Sequence, residues 1–138
     1  MAGRGPTGMA TTRRGGIRPK PGHPRRGEIY LTALDPALGL EIQKTRPALV
    51  IQNDVSNRLS DMTIVAPITS TVRFPLNPVH VLLAADDRTG LSVTSVALLN
   101  QIRAVDRIRL VKRLGSIDAL TLTQVDEAIR ISLGLVEL

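Results

Sequence analysis

Arg46-Pro47-Ala48-Leu49-Val50-Ile51-Gln52-Asn53-Asp54 passes from a cation through five consecutive apolar residues to three polar ones. A short apolar run bounded by turn residues and without polar alternation reads as a strand buried on both faces. Proline lacks a ladder donor, but it is tolerated at the first position of a strand, where Pro47 stands. Pro47–Gln52 is therefore expected to be the central strand of the fold, ended by Asn53-Asp54.

Outward from this strand the chain keeps the same texture of short β-branched runs between turn residues, the pattern of a compact antiparallel sheet or barrel. Upstream, Glu28–Leu34 reads as a first strand, and Asp35-Pro36 with Gly39 opens a loop that runs to Arg46. Downstream, Thr63–Ile68 is a third strand left through Thr69-Ser70-Thr71, and Val79–Leu83 is a fourth. Asp86-Asp87-Arg88-Thr89-Gly90 is a polar turn, after which Val93–Leu99 and Ile102–Val105 continue the sheet. Asp106–Leu110 reads as one helical turn, and Val111–Leu114 as a last short strand. The period then changes: Leu122, Val125, Ile129 and Leu133 recur at three- and four-residue steps, one face of an amphipathic helix. Asp118 or Thr121 can cap it, the latter with Gln124 as a capping box, and Gly134 can close it.

The chain has 138 residues, 43% of them hydrophobic, which suits one domain with an ordinary core. It has no cysteine, which excludes disulfides and thiolate zinc sites and fits a reducing compartment. The longest apolar runs fall far short of the roughly 20 residues that a membrane span needs. The basic N-terminus has no apolar stretch behind it, so a secretory signal is not expected.

The net charge of +6 is unevenly spread. Residues 1–26 hold seven cations (Arg4, Arg13, Arg14, Arg18, Lys20, Arg25, Arg26) and no acid. That leaves 18 − 7 = 11 cations against 12 acids from Gly27 onward, a body of charge −1. A pI near 11.0 thus describes the tail rather than a binding face. Residues 1–26 also contain six Gly and four Pro and few large apolar side chains. They are expected to form a disordered basic tail ahead of a domain over 27–138, either a dispensable extension or an arm drawn to nucleic-acid phosphates.

Any anion site in the body must then rest on a few placed arginines. Arg46 is the last polar residue before a buried strand, and a guanidinium anchored there can donate two parallel hydrogen bonds to a phosphate. Thr69-Ser70 places two hydroxyls where another strand ends. Taken alone, either could be an ordinary surface feature. His23 lies in the tail and His80 stands alone in a strand, which argues against two-histidine chemistry. The acidic pairs Asp86-Asp87 and Asp126-Glu127 are sequence neighbours that diverge in direction, so no metal site is expected.

Read together, these segments resemble the MazF/PemK family of toxin endoribonucleases. The resemblance covers about residues 25–138. It is carried by Arg26-Gly27-Glu28-Ile29 with Asp35-Pro36, by Gly39-Leu40-Glu41 with Lys44-Thr45-Arg46-Pro47, and by Val50–Asp54. Ala66-Pro67-Ile68-Thr69-Ser70, Val96–Asp106 and Val125–Leu135 follow in the family's order. It implies a mainly β fold, an SH3-like small antiparallel β-barrel of the CcdB/PemK type with a C-terminal α-helix, assembled as a homodimer with single-stranded RNA along the dimer groove. It implies sequence-specific cleavage by the substrate's own 2′-hydroxyl, leaving a 2′,3′-cyclic phosphate and a 5′-hydroxyl, with no metal and no cofactor.

Carried over residue by residue, Arg46 and Thr69 occupy catalytic positions, and Glu41, Lys44, Asn53, Ser70 and Gln101 match positions at the substrate. A MazE-like antitoxin partner and a cytoplasmic location are implied as well. With only Tyr30 and Phe74 as aromatics, base stacking is expected to contribute little. Two other readings compete: a CcdB-like toxin that binds gyrase and cuts nothing, and a non-enzymatic RNA-binding module driven by the tail.

Overall fold

The structure is a computed structural model that describes residues 22–34 and 45–137. Within these residues the elements are β1 (Glu28–Ala33), β2 (Thr45–Val50), α1 (Asp54–Leu59), β3 (Met62–Thr69), β4 (His80–Leu83), β5 (Ser95–Leu98), β6 (Arg103–Asp106), a 3-10 turn (Arg107–Arg109), β7 (Leu110–Ser116) and α2 (Ala119–Ser132).

The apolar run forms β2, and it is central. β1 and β3 flank it, both antiparallel, in a sheet of order β4-β5-β3-β2-β1-β7, with β6 added to β3. Ala48, Leu49 and Val50 are inaccessible to solvent because both faces of the strand are covered. Leu49 joins Ile29, Ala66, Leu83 and Val125 in the larger core, while Ala48 and Val50 join Val65 and Val105 in the smaller. Burial on two faces is why this strand lacks polar alternation.

The expected mainly β architecture with a terminal helix is the one the chain adopts. Hydrogen bonding does not close the sheet, because its end strands β4 and β7 are not paired. The turn after β4 bridges them instead: the Ser116 amide donates to the Arg88 carbonyl at 2.8 Å. The approach is backbone to backbone, and two glycines permit it. A Cβ at Gly90, whose φ is +70, would land on the Leu114 carbonyl, and one at Gly115 would land on that of Arg88.

α2 is capped by Asp118, whose carboxylate accepts from the Thr121 amide at 2.8 Å, so Thr121 is already inside the helix. Val125 and Ala128 are buried, and Leu122 and Ile129 pack beside them on the larger core. Leu133 does not share that face. It is the C-cap residue and is 55% exposed, because the chain reverses through Gly134 at φ +71.

α1 is not foreshadowed by any apolar period. Local polar bonds build it: Asn53 caps it by accepting from the Ser56 amide at 2.8 Å, and Asn57 anchors it from below. The fully buried Asn57 side chain accepts from Gln52 at 3.0 Å and Thr63 at 2.8 Å and donates to the Gln52 carbonyl at 2.9 Å. Gly22–Arg26, assigned above to the tail, lie against the body. The Arg26 backbone amide donates to Asp54 at 2.7 Å, and its guanidinium bonds the Ile51 carbonyl at 2.8 Å and Asp126 at 2.5 Å.

Candidate active site

The last rungs between β2 and β3 are Val50↔Val65, Leu49↔Ala66 and Ala48↔Pro67. Beyond Ala48 the two strands part, β2 staying with β1 through Thr32↔Arg46 and β3 turning to β5 through Thr69↔Val96. Pro47 and Pro67 stand at the fork, where each lacks an N–H with which to continue the ladder. Arg46 and Thr69 each lie two residues past the last rung (48 − 46 and 69 − 67), one on each arm.

The fork opens on a cleft of about 450 Å³ whose lining includes both residues. Ser70 and Thr71 continue the β3 side. Leu91, Ser92 and Val93 close it from the turn after β4, and Leu31 and Leu114 form apolar wall. Among the described residues no carboxylate lines it, so on these walls an anion would meet a guanidinium and hydroxyls. Arg46 is exposed and makes no hydrogen bond or ion pair among the described residues. Its five donors are available for bidentate contact with a phosphate.

The Thr69 hydroxyl oxygen accepts from the Thr71 amide at 3.1 Å. With a lone pair engaged in this way, the hydroxyl proton is free to donate into the cleft, and the accepted bond polarises it for that role. Ser95 is committed elsewhere, since its hydroxyl donates to the Val93 carbonyl at 2.9 Å.

The structure thus brings Arg46, Thr69 and Ser70 together and separates Asn53 and Gln101 from them. Asn53 stands at the other end of β2, roughly 20 Å away by strand rise, with its side-chain oxygen engaged as the α1 cap. Gln101 is exposed in the turn after β5 and does not line the cleft. Glu41 and Lys44 lie outside the described residues. His80 faces a neighbouring depression rather than this cleft.

The cleft's apolar wall and the loop Leu91–Val93 escaped sequence reasoning. They reach the site only through the docking of the β4 turn on β7, for which Gly90 was the single local signal. A larger cavity of about 540 Å³ lies on the other side of β1, where Tyr30 alternates with Leu31. Burial, with Glu28 alongside, pushes the Tyr30 phenol above its ordinary 10.0. Asp61, Asp106 and Arg107 line that cavity. Among the described residues no three His, Asp or Glu side chains cluster as metal ligands, and no helix is long and apolar enough to cross a membrane.

A small antiparallel sheet that presents an arginine and a threonine at a strand fork defines the class of protein to which comparison should point. Residues 25–133 match the model of the PemK-like, MazF-like toxin of type II toxin–antitoxin systems, and the chain belongs to that family. It is similar to Endoribonuclease EndoA of Bacillus subtilis (strain 168), 42% identical over 113 residues, which are 82% of this chain and 97% of that protein. It is also similar to Endoribonuclease MazF of Staphylococcus epidermidis, 40% identical over 111 residues, 80% of this chain and 92% of that one. Among solved structures it resembles a MazE–MazF crystal structure from Deinococcus radiodurans with a TM-score of 0.68 at 28% identity, covering 82% of this chain and 97% of that chain.

Proposed function

We propose that this toxin is an endoribonuclease that cuts single-stranded RNA at the β2–β3 fork, with Arg46 and Thr69 as its catalytic residues. The carrying observation is the convergence of a guanidinium that is unengaged among the described residues and a donor-ready hydroxyl on one cleft. The names of the two relatives point to the same activity.

In this reading the ribose 2′-oxygen attacks the adjacent phosphorus and loses its proton. The P–O5′ bond breaks, and the 5′-oxygen leaves with a proton gained. The products are a 2′,3′-cyclic phosphate and a 5′-hydroxyl, and the reaction needs neither metal nor cofactor. Arg46 bridges the non-bridging oxygens and Thr69 donates to one of them, so both bonds strengthen as charge accumulates in the pentacoordinate state. Ser70 adds a second hydroxyl at the rim. Glu41, Lys44, Asn53 and Gln101 are assigned to the substrate by family resemblance alone. Asn53 and Gln101 would meet nucleotides remote from the scissile phosphate, or reach it across a dimer.

A homodimer, a MazE-like antitoxin whose acidic segment competes for the RNA path, and a cytoplasmic location belong to the same reading. The Deinococcus MazE–MazF structure supports the antitoxin. Incubating the purified chain with a long single-stranded RNA in excess EDTA tests the activity. Defined cuts ending in cyclic phosphate are expected. Intact RNA together with inhibited gyrase would establish the CcdB-like alternative, which no feature of the cleft favours.

A further inference from the structure

The family match begins at residue 25, and the 113 residues aligned with EndoA are 97% of that protein, so the basic extension lies outside what the relatives share. The end of the extension is nevertheless built into the body. Pro24 is fully buried, the Arg25 amide donates to Glu28 at 2.7 Å, and Arg26 is held by Asp54, Ile51 and Asp126. Gly22 and Pro24 form part of the wall of the 540 Å³ cavity beside Tyr30. The chain upstream of Gly22 therefore departs from the cavity itself.

That cavity offers two kinds of surface. Tyr30 and Leu110 are half-buried in its wall, and Ile108 stands 86% exposed beside them, which makes a continuous apolar side. Asp61 and Asp106 outnumber Arg107 there, for a local charge of −1 (1 − 2). Asp106 uses Oδ1 to accept from the Ile108 amide at 3.0 Å, which leaves its second oxygen for another donor.

Residues 17–21, Ile17-Arg18-Pro19-Lys20-Pro21, match both surfaces. They carry two cations and no acid, and Ile17 is the only branched aliphatic residue before Gly27. At about 3.5 Å per residue, Lys20 lies within about 7 Å of Gly22 and Ile17 within about 17 Å, so both can reach a cavity that Gly22 lines. Arg18 and Lys20 each precede a proline, which favours extended backbone, and a segment with few alternatives loses little entropy on docking. A tether this short gives the segment an effective concentration on the order of millimolar.

We propose that this cavity is the docking site of the chain's own residues 17–21, with Arg18 and Lys20 against the carboxylates of Asp61 and Asp106 and Ile17 against Ile108 and Leu110. Residues 35–44 are the poorer occupant, since Asp35 and Glu41 against Lys44 give them the same sign of charge as the cavity. A second copy of the chain would have to displace the tethered segment. Docking makes part of the extension a working piece of the domain, with Arg4, Arg13 and Arg14 ahead of it. The proposal does not depend on the endoribonuclease reading, because the cavity and the fork lie on opposite sides of β1.

Two probes report on the cavity. Lys20 is the only lysine among residues 1–26, and Tyr30 is the only tyrosine of a chain without tryptophan. A zero-length carbodiimide, which joins an amine to a carboxylate only where they touch, is applied to the full-length protein as a mixture of ¹⁵N-labelled and unlabelled copies, and the links are mapped by mass spectrometry. Acrylamide quenching of Tyr30 emission is measured in parallel. Links from Lys20 to Asp61 or Asp106 within one copy are expected. Lys20→Glu turns attraction into repulsion and should cut the docked population about fivefold, with Tyr30 quenched more readily. Adding Asp61→Lys to Lys20→Glu should restore the wild-type quenching. Lys20 precedes the family domain, so its variant and the cross-links decide the matter even if Asp61→Lys fails to fold. No link from Lys20 to either carboxylate, or unchanged quenching in Lys20→Glu, would overturn the proposal. Links only between labelled and unlabelled copies would overturn it in favour of a second copy, and links from Lys44 in favour of residues 35–44.

Discussion

Arg46 and Thr69 stand at matching positions on the two arms of a strand fork, each two residues beyond the rung Ala48↔Pro67, and face one cleft of about 450 Å³. Residues 23 apart in sequence are thereby held by the central strand, buried over Ala48–Val50, on one side and its neighbour on the other (69 − 46). Neither needs to be carried by a long loop, and strand-borne groups are the ones whose geometry a sheet can fix.

The arrangement predicts that charge alone at position 46 does not suffice. Arg46→Lys keeps the cation but loses the planar fork that can meet two phosphate oxygens. Cleavage should fall by about a hundredfold, in kcat more than in KM, because the lost bond is one that strengthens in the transition state. Thr69→Ser should retain most activity and Thr69→Val should not, since only the former keeps a donor. Steady-state kinetics on one RNA resolves all three variants.

Gly90→Ala should be strongly destabilising, by more than about 2 kcal/mol. The residue sits at φ +70, and a methyl group would strike the Leu114 carbonyl, undocking the turn from β7. Urea denaturation measures the loss. Because Gly90 and Leu91 also line the cleft, residual folded protein should show reduced cleavage, whereas Gly22→Ala, at φ +65 but with open space around it, should cost only the left-handed backbone strain of about 1–2 kcal/mol.

Asn57→Leu should cost about 2–4 kcal/mol, since it strands the side chains of Gln52 and Thr63 and a backbone carbonyl that Asn57 satisfies in the interior. α1 lies at the end of β2 opposite the fork, so kcat on RNA should be unchanged while the protein remains folded. Equilibrium unfolding paired with an activity assay separates the two effects.

Asp118 gives α2 a pH dependence of known sign. Hydrogen bonds from Thr121 hold its carboxyl below the ordinary 3.8. A depressed folded-state pKa means that this stabilisation is complete above about the ordinary value and is lost as pH falls through the lower, folded value. Asp118→Asn keeps a cap without a titrating group, so the stability gap between wild type and variant should narrow on acidification below pH 3.8. Denaturant titrations across that range check the sign.

Much of this architecture is legible in the sequence, and what is not has physical reasons. β2 announced itself because burial on both faces leaves an unbroken apolar run, and α2 because one face packs on the core at helical spacing. α1 was silent: Asp54–Leu59 carries no apolar period, and its stability comes from the Asn53 cap and from Asn57, whose partners Gln52 and Thr63 flank the helix in sequence. Val93 read as strand yet is 52% exposed at the cleft edge, and β5 begins only at Ser95. Leu133 fitted the helical period but lies past the final turn. The pairing of Arg46 with Thr69 could be inferred only from family resemblance, because it depends on which strands are neighbours, a fact of topology that local patterns do not encode. The depression that His80 faces, which Thr69 also lines, was hidden for the same reason.

The central claim is that a guanidinium and a hydroxyl at the β2–β3 fork act together on one phosphodiester. Single-turnover cleavage of one RNA in excess EDTA by wild type, Arg46→Ala, Thr69→Ala and the double variant measures it directly. The account predicts a loss of about a hundredfold or more for each single variant, and for the double variant a loss well short of the product of the two, as groups serving one transition state show. Rates within a few fold of wild type in both single variants, with the fold intact, would contradict it.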